Sequence, residues 1–110
     1  MDAMKYPSPE DPGRAPVWEN YVVAQAVQAS LGLIPEHALA VGVEVAERNV
    51  RLRFQLTEVT EHDTVDMNDI VSELEGLVGP DVHVEMAHEV QEKRAVSPHD
   101  GVRWIFLMRA

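Results

Sequence analysis

The chain has 110 residues, 45% of them apolar, which is the size of one domain and enough apolar side chain for a core. It has no cysteine, so disulfides, thiolate metal sites and thiol catalysis are excluded. Nineteen acidic against nine basic residues give a formal net charge of −10. Such a field repels nucleic acid and anionic lipid and favours capture of a basic partner.

Residues 1–15 read as a flexible N-terminal tail, because Pro7, Pro9, Pro12 and Gly13 remove donors and break any repeat. Residues 16–110 read as a single α+β domain. No apolar stretch approaches the roughly 18–20 residues that span a bilayer, and the N-terminus lacks the apolar centre of a secretory signal. The expectation is a cytoplasmic protein without membrane contact.

Pro16 suits the first turn of a helix, where its missing N–H costs little. Trp18, Tyr21, Val22, Val23, Ala26, Val27 and Leu31 then cover most of a helical surface. That distribution predicts a helix buried deeply or shared with a second subunit, so a homodimer is one expectation. Gly32 supplies the stop and Pro35 forbids resumption. Next come two alternating runs. Leu39, Val41, Val43 and Val45 share one face of the first, and Val50, Leu52, Phe54 and Leu56 one face of the second. The short link Glu47-Arg48-Asn49 makes the two an antiparallel hairpin.

Thr60, with Asp63 three residues on, has the form of a capping box in which Asp replaces the usual Glu. Met67, Ile70, Val71, Leu74, Leu77 and Val78 follow at helical spacing up to Gly79-Pro80. Val82, Val84, Met86 and Val90 predict a third strand, residues 91–101 a loop, and Val102–Arg109 a last strand. In that strand Val102, Trp104, Phe106 and Met108 are expected on one face, Ile105 and Leu107 on the other. The order αββαββ suggests two αββ units, with Gly32-Leu33-Ile34-Pro35 echoed by Gly76-Leu77-Val78-Gly79-Pro80. The expected layering packs both helices on one face of a four-stranded, mainly antiparallel sheet, each helix over its own hairpin.

No catalytic motif emerges. Ser8, Ser30, Ser72 and Ser97 lie in no glycine-flanked elbow. His37, His62, His83, His88 and His99 include no i, i+4 pair on a helix, and no glycine-rich phosphate loop exists. The expectation is therefore no catalytic residue, no metal and no cofactor. His88 falls on the inward register and reads as a partly buried structural histidine. His83, Glu85 and His88 form the one acid–base cluster that a non-motif enzyme could use.

The clearest feature is acidic. Glu58, Glu61, Asp63, Asp66, Asp69, Glu73 and Glu75 follow one another with no lysine or arginine between them. Asp66, Asp69 and Glu73 share one helix face, where like charges repel by a few tenths of a kcal/mol per pair. Three readings compete: a solvated polar face, a divalent-cation site, and an epitope for a basic protein. On the last, Glu61, Asp63, Asp66, Asp69 and Glu73 are the partner-binding residues. A second surface is the sheet face away from the helices. By register it carries Arg51, Arg53, Arg103 and Arg109 with Glu44, Glu85, Glu89, Ile105 and Leu107. Two exposed apolar residues there suggest a covered face.

The stretch Gln28-Ala29-Ser30-Leu31-Gly32-Leu33-Ile34-Pro35, the run Asp66-Met67-Asn68-Asp69-Ile70-Val71-Ser72-Glu73-Leu74-Glu75 and the closing Val102-Arg103-Trp104 resemble small acidic bacterial proteins. Some of these look like immunity proteins encoded beside polymorphic or contact-dependent toxins. The resemblance covers Trp18 to Arg109, rests on core-forming residues and carries over no functional residue. It implies stoichiometric inhibition of a basic, nuclease-like toxin domain. The element order is also similar to type III secretion chaperones, which implies a dimeric adaptor. This chain lacks the additional strand and C-terminal helix of that family.

Overall fold

The computed structural model describes residues 15–109. Six elements follow one another: α1 (Ala15–Ser30), β1 (Ala38–Ala46), β2 (Asn49–Leu56), α2 (Glu61–Val78), β3 (His83–Val90) and β4 (Arg103–Leu107). The proposed tail, apart from Ala15, lies outside the described residues. α1 ends where Gly32 takes a positive φ of 76°, a conformation that costs glycine little. At α2 the capping box forms as the sequence suggests. The Thr60 hydroxyl accepts from the Asp63 N–H, and the Asp63 carboxylate accepts from the Thr60 N–H.

The sheet order is β3-β2-β1-β4. β1 and β2 form the expected antiparallel hairpin, from Ala46↔Asn49 down to Ala38↔Leu56. Its two-residue turn has Glu47 at a φ of 56°, and the Trp18 indole N–H of α1 donates to the Glu47 carbonyl at 2.7 Å. Both helices lie on one sheet face. Trp18, Val22, Ala26 and Ala29 of α1 and Met67, Ile70 and Leu74 of α2 share one buried cluster with Val41, Val43, Val50, Leu52, Phe54 and Leu56. Full burial of such side chains stabilises the fold by about 1.5–3 kcal/mol each.

Two expectations of the duplicated-unit picture fail. β3 runs parallel to β2, from Asn49↔His83 to Leu56↔Val90, while β4 pairs antiparallel with β1 at the other side of the sheet. β3 and β4 are thus the two edges and not a hairpin. α2 serves as the crossover that a parallel β2–β3 pair requires. The glycine echo fails too: Gly32 follows the end of α1, whereas Gly76 sits inside α2.

β4 also departs from simple alternation. Val41 pairs with Phe106 and Gly42 with Trp104, so Ile105 is an extra residue in a bulge. The bulge turns Ile105 and Phe106 toward the core cluster and places Trp104 on the opposite face, over Gly42. Glycine is needed there. A Cβ on residue 42 would lie 2.7 Å from Trp104 Cε3 and nearer still to Val102 Cγ1. Gly42→Ala should therefore lower stability by about 1–3 kcal/mol. Urea unfolding should show a lower midpoint at unchanged slope. An unchanged midpoint would mean that Trp104 does not seat on Gly42.

Candidate functional site

The sheet face away from the helices is organised by β2. Arg51 donates to Glu85 at 2.9 Å, and Arg53 reaches both Glu44 at 3.1 Å and Glu89 at 2.8 Å. These contacts hold the Glu85 carboxyl below its ordinary pKa and raise that of Arg53. Gln55, the last outward residue of β2, is buried. Its amide donates to the Ala95 carbonyl at 2.7 Å and accepts from the Ala95 N–H at 2.8 Å. A side chain thus takes the place of a neighbouring strand and pins loop 91–101 to the sheet. Asp100 ties the end of that loop, accepting from Ser97 N–H, Val102 N–H and the Trp104 indole at 3.0 Å each.

This face is therefore less open than its register suggests. Ile105 is turned inward, and Arg103 is not on this face either: the bulge sets it opposite Val43 on the helix side, where it donates to Glu19 and Asn20 of α1 at 3.0 and 3.3 Å. Leu107 remains exposed there, and Arg109 lines a groove at the sheet end with Leu39, Glu92, Lys93, Arg94 and Met108. The proposed acid–base cluster is not brought together. His83 and Glu85 share the outer face, with His83 Nε2 3.7 Å from the carboxylate, while His88 lies on the helix-side register. His88 is exposed, not partly buried as its register implies.

Asp63 leaves the acidic surface altogether. Its side chain is 0% exposed. Oδ2 accepts from the Thr60 N–H at 2.9 Å, the Thr60 hydroxyl at 3.0 Å and His37 Nδ1 at 2.7 Å, and Oδ1 from the His37 N–H at 3.4 Å. Burial favours the neutral acid, but these donors together outweigh it and hold the pKa at about 2. His37 lies between two carboxylates, its Nε2 2.9 Å from Glu58. The hydrogen bond to Asp63 raises its pKa, opposed by burial and aided by the charges of Asp63, Glu58 and Glu36. The cluster ties the entry of β1 to the start of α2. His37 carries no sequence signal, since it belongs to no spaced pair and precedes the strand. The Asp at the third helical position is the signal that could have marked Asp63 as internal, because a capping-box carboxylate turns back toward the chain.

The other four residues remain on the surface. Glu61, Asp69 and Glu73 are exposed and Asp66 half-buried. At about 100° per residue, Asp66, Asp69 and Glu73 fall within an arc of about 60°. Among the described residues none of the four forms an ion pair. Also among the described residues, no three histidine, aspartate or glutamate side chains are grouped to hold a metal ion, and no helix is long and apolar enough to cross a membrane.

No protein family matches this sequence, and no curated protein does.

The Asp63 cluster contributes to the acid stability of the fold. With a folded pKa of about 2 against an ordinary 3.8, its contribution is present above about pH 4 and fades toward pH 2. The raised His37 pKa acts oppositely, stabilising fully below 6.5 and losing effect as pH rises through the raised value. Asp63→Asn should cost about 1–3 kcal/mol at neutral pH, because an amide cannot accept from all these donors. It should also flatten the fall in stability between about pH 4 and 2. Urea unfolding across that range checks both, and a variant with the parent's acid limb would place the lost stability elsewhere.

Proposed function

We propose that the protein is a non-catalytic binding protein that neutralises a basic partner, in the manner of an immunity protein toward a nuclease-like toxin domain in the cytoplasm. The outward side of α2, with Glu61, Asp66, Asp69 and Glu73, is the docking surface. Asp63 has no part in it beyond holding the helix start.

One observation carries this reading: among the described residues the outward acids of α2 are unanswered, while Glu44, Glu85 and Glu89 of the sheet are not. Eleven acidic residues lie between Arg53 and Lys93, with no lysine or arginine among them. On the sheet, Glu44, Glu85 and Glu89 each meet an arginine of β2. On α2 the repulsion among Asp66, Asp69 and Glu73 stands unrelieved by any ion pair of the described residues. A basic partner would relieve it on docking. Before contact the same field, acting over a Debye length of about 8 Å at physiological salt, would speed encounter. An acidic helix on a rigid sheet also competes with a nucleic acid for the same cationic surface.

The test is association with the basic domain encoded by a neighbouring reading frame, followed by stopped flow at several salt concentrations. The combined change Asp66→Asn, Asp69→Asn and Glu73→Gln should slow association about tenfold at low salt and flatten its salt dependence. The variant's unfolding midpoint should equal or slightly exceed the parent's, because the changes remove like-charge repulsion and break no ion pair of the described residues. Equal association rates for parent and variant would remove α2 as the docking surface.

A further inference from the structure

The two edges of the sheet are unequally protected. β4 is five residues long and bulged at Ile105, and the Arg94 guanidinium occupies the Met108 carbonyl just beyond it. Short, bulged and capped edges resist pairing with another strand. Among the described residues β3 has none of these devices. It runs eight residues, His-Val-Glu-Met-Ala-His-Glu-Val, without glycine or proline and without a register shift against β2.

Its free backbone groups can be assigned. The His83 N–H donates to the Arg48 carbonyl and the Gln91 N–H to the Leu56 carbonyl, so the odd-numbered positions face β2. By strand alternation Val84, Met86, His88 and Val90 direct their N–H and C=O groups away from the sheet. Val90, at the end of this row, is 60% exposed. Glu85 and Glu89, the charges that would repel an incoming strand, are partly offset by their ion pairs to Arg51 and Arg53.

A second copy of β3 fits this edge in one register. Antiparallel partners must keep residues of the same face opposite each other, which leaves two alignments near the strand centre. With Ala87 on the two-fold axis, Glu85 would oppose Glu89 twice, an unfavourable like-charge pairing. With Met86 on the axis, His83 of one copy opposes Glu89 of the other, also twice, and Glu85 opposes Ala87. Val84 then meets His88, Met86 meets Met86, and Val90 meets Val82. The outward N–H and C=O groups of the even positions face one another in this alignment, as the hydrogen-bonded pairs of an antiparallel ladder must.

We infer that two copies of this chain pair antiparallel through β3 about an axis at Met86, joining two four-stranded sheets into one continuous sheet. The self-complementary order His83, Glu85, Ala87, Glu89 selects the register. This pairing uses a surface other than the outward side of α2 and stands independently of the basic-partner reading.

The experiment uses the full chain, which has no cysteine of its own. Light scattering and sedimentation across a concentration series should show a species of twice the 12.3 kDa chain mass. Under mild oxidation Met86→Cys should form a disulfide-linked dimer well ahead of Ala87→Cys, since only residue 86 meets itself. His83→Glu sets two carboxylates opposite each other. It should raise the dimer dissociation constant at least tenfold while leaving the variant folded, read as a cooperative urea transition at a concentration where parent and variant are both monomeric. A chain that stays monomeric at every concentration overturns the inference. So does a dimer indifferent to His83→Glu, or one cross-linked faster through residue 87.

Discussion

Strand β2 has two faces that cannot be satisfied in the same way, and the molecule is arranged around that division. Val50, Leu52, Phe54 and Leu56 have no exposed surface and must be roofed by α1 and α2. Arg51, Arg53 and Gln55 alternate with them and cannot enter that core. They are satisfied instead by Glu44, Glu85, Glu89 and the backbone at Ala95. Exposed ion pairs of this kind contribute about 0–1 kcal/mol each, so they do not hold the fold together. What they supply is register. A shift of β3 by one residue against β2 would set Glu85 and Glu89 on the wrong side of the sheet, together with every apolar residue between them.

Much of this is legible in the sequence because period two and period 3.6 are local properties. The hairpin, both helices, their stops and the Thr60–Asp63 cap follow from residue spacing alone. What is not legible depends on partners far along the chain. β3 alternates equally well beside β2 or beside β4. The choice of a parallel pair with β2 appears only when Arg51 is seen opposite Glu85 and Arg53 reaching diagonally to Glu89. The β4 bulge is hidden for a similar reason. Trp104, Ile105 and Phe106 are all apolar, so alternation has no contrast by which to place them. The deciding residue is Gly42 on the neighbouring strand, whose bare Cα admits the indole.

Asp63 shows how far one position can separate neighbours of identical chemistry. In the sequence it is one acid in a run of seven. In the fold it is the third residue of a helix, where its carboxylate returns to Thr60 and meets His37. Asp66, one turn on, has no free N–H groups to return to, because intrahelical hydrogen bonding has begun. Asp63 is internal, and the acids on either side of it lie on the surface. The same letter therefore serves structure at the helix start and surface charge beyond it.

The distribution of charge also decides where a chain of net charge −10 can meet another molecule. Two such chains repel at long range, so self-association requires a place where acids are already answered within the chain. That place is β3, whose glutamates are held by the arginines of β2. α2 is the opposite case. Beyond Asp63, its acids lie on the surface with no ion-pair partner among the described residues, which disfavours a second copy and favours a cation. A sheet edge with matched charge and a helix face with unmatched charge thus select different classes of neighbour. Pairing along the edge would leave the outward side of α2 available in each copy. Two acidic helices carried on one rigid sheet would present a basic partner with a stronger field than one, and a bivalent partner with two sites at fixed spacing.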